Sequence, residues 1–584
     1  RAAGPDSTGG VLMNRWPYIF VVFGLVAAGV AYDRVSEFQP EIATEIGAVD
    51  VITPSLSDPP RLDSVWYCPL GSSSAGGFAD HEIYISNLSS VPAVANLSAL
   101  TDEGQGAGRR IEVGPLGTER VLLSESQESE VAGAVVEIIS GDGIVGHAVT
   151  TDQGRAEGPC GTQVSNEWYF ASGRTELDST QYLALMNPFP ETARFNIEFR
   201  TLARSRQPQA LQGAFVPGRS VRIIDIGPNI TSEPNVATIV TTERGRLVAE
   251  RLQLLDGSLG ANGAALQLGV ARPANSWILP AGRVHEGGDH SLMVFNPAEP
   301  NPPELVRNDE GEDVLLDDQS DKTAVVDIQL WPNNPTDLSL YGVVTTTREI
   351  RPGSFETLDI GAQALRFGFP LPYELGVNVL VRNDLPVVVE RWQVGRALQD
   401  PSDPSVIAAG EQDEEPADTT DEGADAAGDD GVAEGDEVAT DSAQAGDDEA
   451  QGDFAVPVFD VDGEPLPQPI ATAGLSTSRG VEQLSTRWVV PWVTIIGDST
   501  TIVVASPEEA SIEVRMMVNG GFIAPVQATV PRAGRTVVPL ILPTGGDGAV
   551  VEVRSDVPVA VEAMVVVAGE SLDVVPAVPT VTRS

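Results

Sequence analysis

Side chains that do chemistry are scarce in this chain. Its 584 residues include two cysteines, four histidines and, at Lys322, a single lysine. Hydrolytic sites need a nucleophile, a base and an orienting group that converge in space. Neither GxSxG nor HExxH nor a P-loop occurs. No catalytic residue, cofactor or metal is therefore assigned from the sequence, and a non-enzymatic chain is expected. Positive charge is also short, with 35 basic against 84 acidic residues, a net charge of −49 and a pI near 4.2. A phosphate backbone is bound by clustered Lys and Arg, so nucleic acid is excluded as a partner, and anionic lipid headgroups are disfavoured on the same ground. The abundance of Ala, Val, Gly and Arg beside that lone lysine points to a GC-rich bacterial genome.

One long apolar run is present. Residues 16–32 read WPYIFVVFGLVAAGVAY without a charge, which at about 1.5 Å per residue just crosses a bilayer core. Trp16 and Tyr32 mark its ends as interfacial anchors do. Arg15 precedes it and Asp33, Arg34, Glu37, Glu41 and Glu45 follow, a weak bias that puts the bulk of the chain outside the membrane. The alternative is a signal peptide cleaved near Ala31, since Gly29-Val30-Ala31 is a small-x-small pattern. Met13 is a possible true start. Both readings give an extracytoplasmic compartment, where the pair Cys68 and Cys160 is most simply one disulfide. It would close a loop of about 92 residues, a constraint of roughly 4 kcal/mol.

The remaining sequence repeats. Four segments open on a tryptophan: Trp66 in VWYCPLG, Trp168 in EWYFASG, Trp277 in SWILPAG and Trp488 in RWVVPWV. Each then carries an apolar run ending in a polar turn, at Asn87-Leu88, Asn187-Pro188, Asn296-Pro297 and Ser506-Pro507. Proline has no amide to donate and presets a turn angle, so such a pair ends a strand. A kinked, alternating strand and a valine-rich hairpin follow: AVVEIISGDGIVGHAV, VATIVTTERGRLVAERLQ, VNVLVRNDLPVVVERWQ and AVVEVRSDVPVAVEAMV. Six or seven short strands in about 100 residues have the rhythm of an antiparallel sandwich.

The fold class predicted is mainly β, with tandem antiparallel β-sandwich (Ig-like) repeats after a single N-terminal transmembrane helix. The divisions expected are a short cytoplasmic tail (1–15), the anchor or signal peptide (16–32), a linker (33–64) and repeats at 65–164, 165–262 and 274–398. The third repeat carries an acidic insertion at 302–322. An acidic linker, expected to be disordered, follows at 399–486, and a fourth repeat occupies 487–584. Within that linker the carboxylates of 411–453 are uninterrupted by a basic residue, a composition that cannot bury enough apolar surface to fold.

The openings WYC and WYF, the Asn-Pro turn and the closing VxxER strand resemble those of uncharacterised actinobacterial membrane-anchored envelope proteins, a family classified only as a domain of unknown function. That resemblance runs from about Trp66 onward. It implies a single N-terminal anchor and an extracytoplasmic β-rich body, and supplies no catalytic residues.

A few local clusters hold side chains capable of chemistry. His285-Glu286-Gly287-Gly288-Asp289-His290 offers imidazoles and carboxylates to a metal, but in a loop where polar residues are common. Asp460-Val461-Asp462-Gly463-Glu464 lacks most ligands of a calcium loop. Glu250-Arg251 and Glu390-Arg391 recur at equivalent places, with Glu562-Ala563 in the last copy, and read as repeated structural ion pairs. The tryptophans Trp66, Trp168, Trp277 and Trp488 read as core plugs. The sequons at Asn87, Asn96 and Asn229 are chance matches in a bacterial chain. Two function classes remain. One is a membrane-anchored structural, adhesion or scaffold/accessory protein of the cell envelope, with a protein or glycan partner. The alternative is an extracytoplasmic enzyme or accessory subunit in envelope glycan assembly.

Overall fold

The computed structural model describes residues 64–394 and 472–580, apart from 75–76, 259–260, 285–288, 308–312, 334, 371, 474, 495–499, 519, 542–547 and 568–570. All of these belong to one compact unit, Ser55–Ser584. The run 16–32, the acidic tract 411–453 and the segment Asp460–Glu464 lie outside the described residues. No helix among the described residues is long and apolar enough to cross a membrane. The two α-helices, Pro335–Tyr341 and Ile360–Arg366, are each two turns long.

The described chain is otherwise mainly strand, and the strands are antiparallel almost throughout. In Ala193–Arg200 the residues Ala193, Phe195, Ile197 and Phe199 are buried while the polar residues between them face outward. Side chains alternate across a strand, so this sequence can bury one face against a second sheet while wetting the other.

One strand order occurs four times. In the first copy the opening strand Ser64–Cys68 pairs with Ala132–Ser140, which pairs with Ala93–Thr101; a second sheet runs Thr118–Leu122, Asp80–Asn87, Gly143–Thr151, Gly154–Pro159. The second copy repeats this with Glu167–Phe170, Ala237–Arg244 and Ala193–Arg200 beside Ser220–Asp225, Ser179–Asn187, Val248–Asp256 and Ala261–Leu268. The third uses Ser276–Leu279, Tyr373–Val381 and Ala324–Pro332 beside Ser354–Asp359, Asp289–Asn296, Val388–Val394 and Leu475–Arg479. In the fourth, the long strand Gly548–Val567 serves both sheets.

These pairings move two boundaries. The second copy ends with Ala261–Leu268 rather than at 262. The third closes with Leu475–Arg479, whose Leu475 lies opposite Val394, so it does not end at 398 and residues up to 486 are not all linker. The acidic stretch is therefore an insertion between two neighbouring strands of the third copy. A pattern search misses this because the last strand, Leu-Ser-Thr-Ser-Arg, has no apolar alternation to announce it. Within the other insertion, Glu304–Arg307 and Asp313–Leu316 form a separate hairpin.

A tryptophan fixes each copy, and a turn asparagine the first three. Trp66, Trp168, Trp277 and Trp488 are at most 3% exposed. Three of their indoles donate to equivalent carbonyls, Trp168 to Leu247 (2.9 Å), Trp277 to Val387 (3.0 Å) and Trp488 to Val559 (2.8 Å), tying one sheet to the other. Asn187 Nδ2 donates to the carbonyls of Glu191, Val216 and Pro217, and Asn87 and Asn296 do the same at their turns. The asparagine amide thus holds the turn, with the proline beside it in two copies. Asn87 is fully buried and open to no sugar. Cys68 and Cys160 are joined in a disulfide within the first copy.

Candidate functional site

The last strands of the four copies touch in cyclic order: Gly154–Pro159 meets Ala261–Leu268, which meets Leu475–Arg479, which meets Ser571–Pro576, which returns to Gly154–Pro159. The four copies close on themselves. Most of the buried charge gathers at the joints between them.

Glu250, Glu390 and Glu562 occupy one structural position. Each sits opposite the residue three before the turn position, as the pairs Ala184↔Glu250, Met293↔Glu390 and Val503↔Glu562 show. Adjacent residues on a strand point to opposite faces. Glu250 and Arg251 therefore do not bond each other: the glutamate reaches the preceding copy and the arginine the following one. The repeated structural ion pairs expected at these residues are present, but each runs between copies, Arg251 with Glu390 and Arg391 with Glu562, rather than within one Glu-Arg dipeptide.

At the second joint Glu390 Oε2 accepts from Ser172 N (2.8 Å), Ser172 Oγ (2.7 Å) and Arg251 Nη1 (3.3 Å), while Oε1 accepts from Gln267 Nε2 (2.7 Å). Arg251 also donates to the Ser172 carbonyl and lies over the Phe170 ring at 5.4 Å. At the third joint Glu562 accepts from Ala281 N (2.9 Å) and Arg391, which also holds Ser478 Oγ (2.6 Å). Both pairs are 0% exposed. Burial lowers the guanidinium pKa of Arg251 and Arg391, and the facing glutamates oppose that shift. Arg535 adds a reverse bond at the third joint, to the Gly282 carbonyl (3.2 Å) and Glu374 (2.9 Å). Burial brings Arg535 down to about 10.

At the first joint a histidine stands where the others use arginine. Glu250 accepts from Leu70 N (3.1 Å) through Oε2 and meets His147 Nε2 (2.9 Å) through Oε1. His147 Nδ1 meets His81 Nε2 (2.9 Å), and His81 Nδ1 meets the Ala132 carbonyl (3.0 Å). At the fourth joint neither ion exists. Gly146 holds the glutamate position, and a Cβ there would lie 3.2 Å from Pro491. Trp492 stacks on Tyr84 with centroids 4.7 Å apart, and Ser86 Oγ donates to the Pro491 carbonyl (3.2 Å). Beneath the stack Tyr84 donates to Glu82 (2.6 Å), which also receives Arg120 and Arg155. Burial raises the Glu82 carboxyl, but the bonds from Arg120 and Tyr84 and the Arg155 charge outweigh it and bring it to about 2.

An open cleft of about 300 Å³ is lined by Arg283, Asn333, Asp337, Pro372, Tyr373 and Glu374. It lies beside the third joint, where Arg535 holds Glu374. The arrangement does not bring Glu250 and Glu390 to one pocket, since each is sealed in its own joint. His285 and Glu286 lie outside the described residues, and His290 is buried. Among the described residues no three metal-ligating side chains converge. Sequence reasoning passed over His81, His147, Tyr84 and Trp492. Their only signal was departure from the repeat: Gly146-His147 for Glu-Arg, and Trp492 at the place of Leu70, Ser172 and Ala281.

Residues 150–301 match the model of a Family of unknown function (DUF5719), spanning the second copy and its two flanks. A comparison with curated proteins finds no match. Among solved structures the chain is similar to Thermotoga maritima 1070, at 14% identity and a TM-score of 0.16 over 18% of this chain and 95% of that one. It is also similar to the α-L-rhamnosidase of Streptomyces avermitilis complexed with L-rhamnose, at 10% identity and 0.12 over 57% and 44%. A tetra-tandem repeat from the extending region of a large adhesion protein gives 9% identity and 0.09 over 88% and 98%. Likeness at these scores carries no functional argument.

Proposed function

We propose that this chain is a non-enzymatic scaffold or accessory protein of a bacterial cell envelope, anchored by residues 16–32 with its bulk outside the membrane. The observation that carries the reading is the closed set of four joints. Glu250, Glu390 and Glu562 are spent in bonds that lock one copy to the next, which serves rigidity and leaves them no reach to a substrate. Each pair of sheets is read as an Ig-like sandwich, and four of them at fixed angles present a broad, defined surface to partners. The disulfide Cys68–Cys160 supports an oxidising compartment.

The test is affinity capture of the tagged full chain from its own membrane. One envelope protein or glycan should be retained in stoichiometric amount, and lost when a joint is broken by Glu390→Ala. Turnover of an envelope glycan by the purified chain alone would overturn the proposal. A second reading, an accessory role in glycan assembly, is favoured by the cleft at Arg283, Tyr373 and Glu374, where guanidinium, phenol and carboxylate offer partners to hydroxyl-rich ligands.

A further inference from the structure

The first joint differs from the second and third in a way that counts protons. Three contacts run in series: Ala132 O to His81 Nδ1, His81 Nε2 to His147 Nδ1, and His147 Nε2 to Glu250 Oε1, at 3.0, 2.9 and 2.9 Å. A carbonyl and a carboxylate only accept, so each contact needs one proton between its two atoms. Two neutral imidazoles and an ionised glutamate bring two protons. Three contacts need three. The buried series is complete only when His147 and Glu250 together hold one extra proton, as an imidazolium facing a carboxylate or its neutral equivalent.

We infer that this series is a proton-operated latch, closing the first and second copies near neutral pH and weakening when its proton is lost or a further one is added.

Removing the proton sets two lone pairs against each other at one contact. Adding one sets two N–H groups against each other between His81 and His147. Either leaves a buried polar group unsatisfied, which costs more than the bond contributed. The other charges around the series are already engaged. Glu82, next to His81, is held by Arg120 and Arg155; Glu157, on the strand beside His147, is held by Arg155; and Arg251, next to Glu250, faces Ser172 and Glu390. Asp80 on the other side of His81 is exposed. Burial, and then the charge of His147, bring His81 down to about 3, so it stays neutral through the acid range in which free histidine charges.

The sign follows from the proton count. Above about pH 6.5 the unfolded chain releases both imidazolium protons while the latch keeps one, so stability falls as pH rises from there. Below about 6.5 the unfolded chain binds two and the latch still one, so stability also falls toward acid. The second and third joints have arginine where the first has His147, so the imidazole proton count of the first joint has no counterpart there.

The experiment compares the full chain with Glu250→Gln. Glutamine accepts from Leu70 N and donates to His147 Nε2, completing the series without the extra proton. Between pH 7 and 9 the unfolding constant of the native chain should rise about tenfold per pH unit relative to the variant, the signature of one linked proton. Parallel profiles would overturn the latch. Should Glu250→Gln fail to fold, histidine-labelled native chain decides, since there are only four histidines to resolve. An imidazolium signal for His147 at pH 7.5 supports the proposal, and a neutral His147 beside an ionised Glu250 refutes it.

Discussion

Glu390→Ala is the sharpest test of the joints. The substitution removes four acceptor contacts at once and strands Arg251, which is 0% exposed, without its counter-charge. Removing one partner of a buried pair costs about 3–5 kcal/mol, because the remaining charge is still desolvated. Here the Ser172 amide and the Gln267 amide lose their acceptor too, so a loss of about 4 kcal/mol or more is expected. The exposed pair Arg110–Glu112, with side chains 62% and 76% accessible, is the internal control. Glu112→Ala should cost under about 1 kcal/mol. Equilibrium urea unfolding followed by tryptophan fluorescence reads both, since Trp168 and Trp277 lie in the two copies that Glu390 joins. Pairing Glu390→Gln with Arg251→Met removes both charges and should recover at least half the loss, because no buried ion remains uncompensated. A loss below about 1 kcal/mol for Glu390→Ala would refute the locked joint.

Non-reducing peptide mapping should find Cys68 linked to Cys160, and Cys160→Ser should cost about 4 kcal/mol through the loop it frees; two alkylatable thiols in the native chain would remove the covalent argument for the compartment. Trp492→Ala deletes the stack on Tyr84 and should cost about 2 kcal/mol, less than a fully buried aromatic because Trp492 is only half-buried, with proteolysis beginning at the fourth joint; an unchanged denaturation midpoint counts against closure. Replacing residues 399–470 by a short turn should leave the melting temperature within about 2 °C, because Val394 and Leu475 are direct strand partners. A fall beyond about 5 °C would mean the insertion supports the folded copies.

The strand-rich character was legible because alternation such as Ala-Arg-Phe-Asn-Ile-Glu-Phe-Arg has no other use. The recurring tryptophans and asparagine turns were legible because three copies reuse the indole bond and three the asparagine amide bonds. What stayed hidden was everything that crosses between copies. Glu250 and Arg251 are neighbours in sequence, and nothing in their order reveals that they serve different joints until the sheets are placed. The strand Leu475–Arg479 was hidden for a related reason. Ser476 and Ser478 are buried on the strand that contacts both neighbouring copies, and Ser478 accepts from Arg391 on the adjacent strand of its own copy. Polar residues buried at such a joint look like loop.

The ends of the array explain why it closes at four. A chain of copies sharing one Glu-to-Arg joint has a glutamate with nothing to reach at its first member and an arginine with nothing to meet at its last. An unmatched buried ion of either sign is strongly destabilising. The sequence removes both, with Gly146 where the first glutamate would stand and Ala563 where the last arginine would stand. Those two small residues make room as well: a side chain at Gly146 would press on Pro491, and the place is taken by the approach of the fourth copy and the Trp492–Tyr84 stack. An open array would gain nothing from that aromatic pair. A closed one needs some uncharged contact at its seam, and here Tyr84, opposite Gly146, and Trp492, at the place of Leu70, Ser172 and Ala281, supply it. The tip chosen for the long insertion fits the same logic. The corresponding connections in the first and second copies are short, at residues 152–153 and 257–260. They join the strand that carries the joint to the last strand of each copy, so a lengthened tip there changes neither the seam nor the three ionic joints.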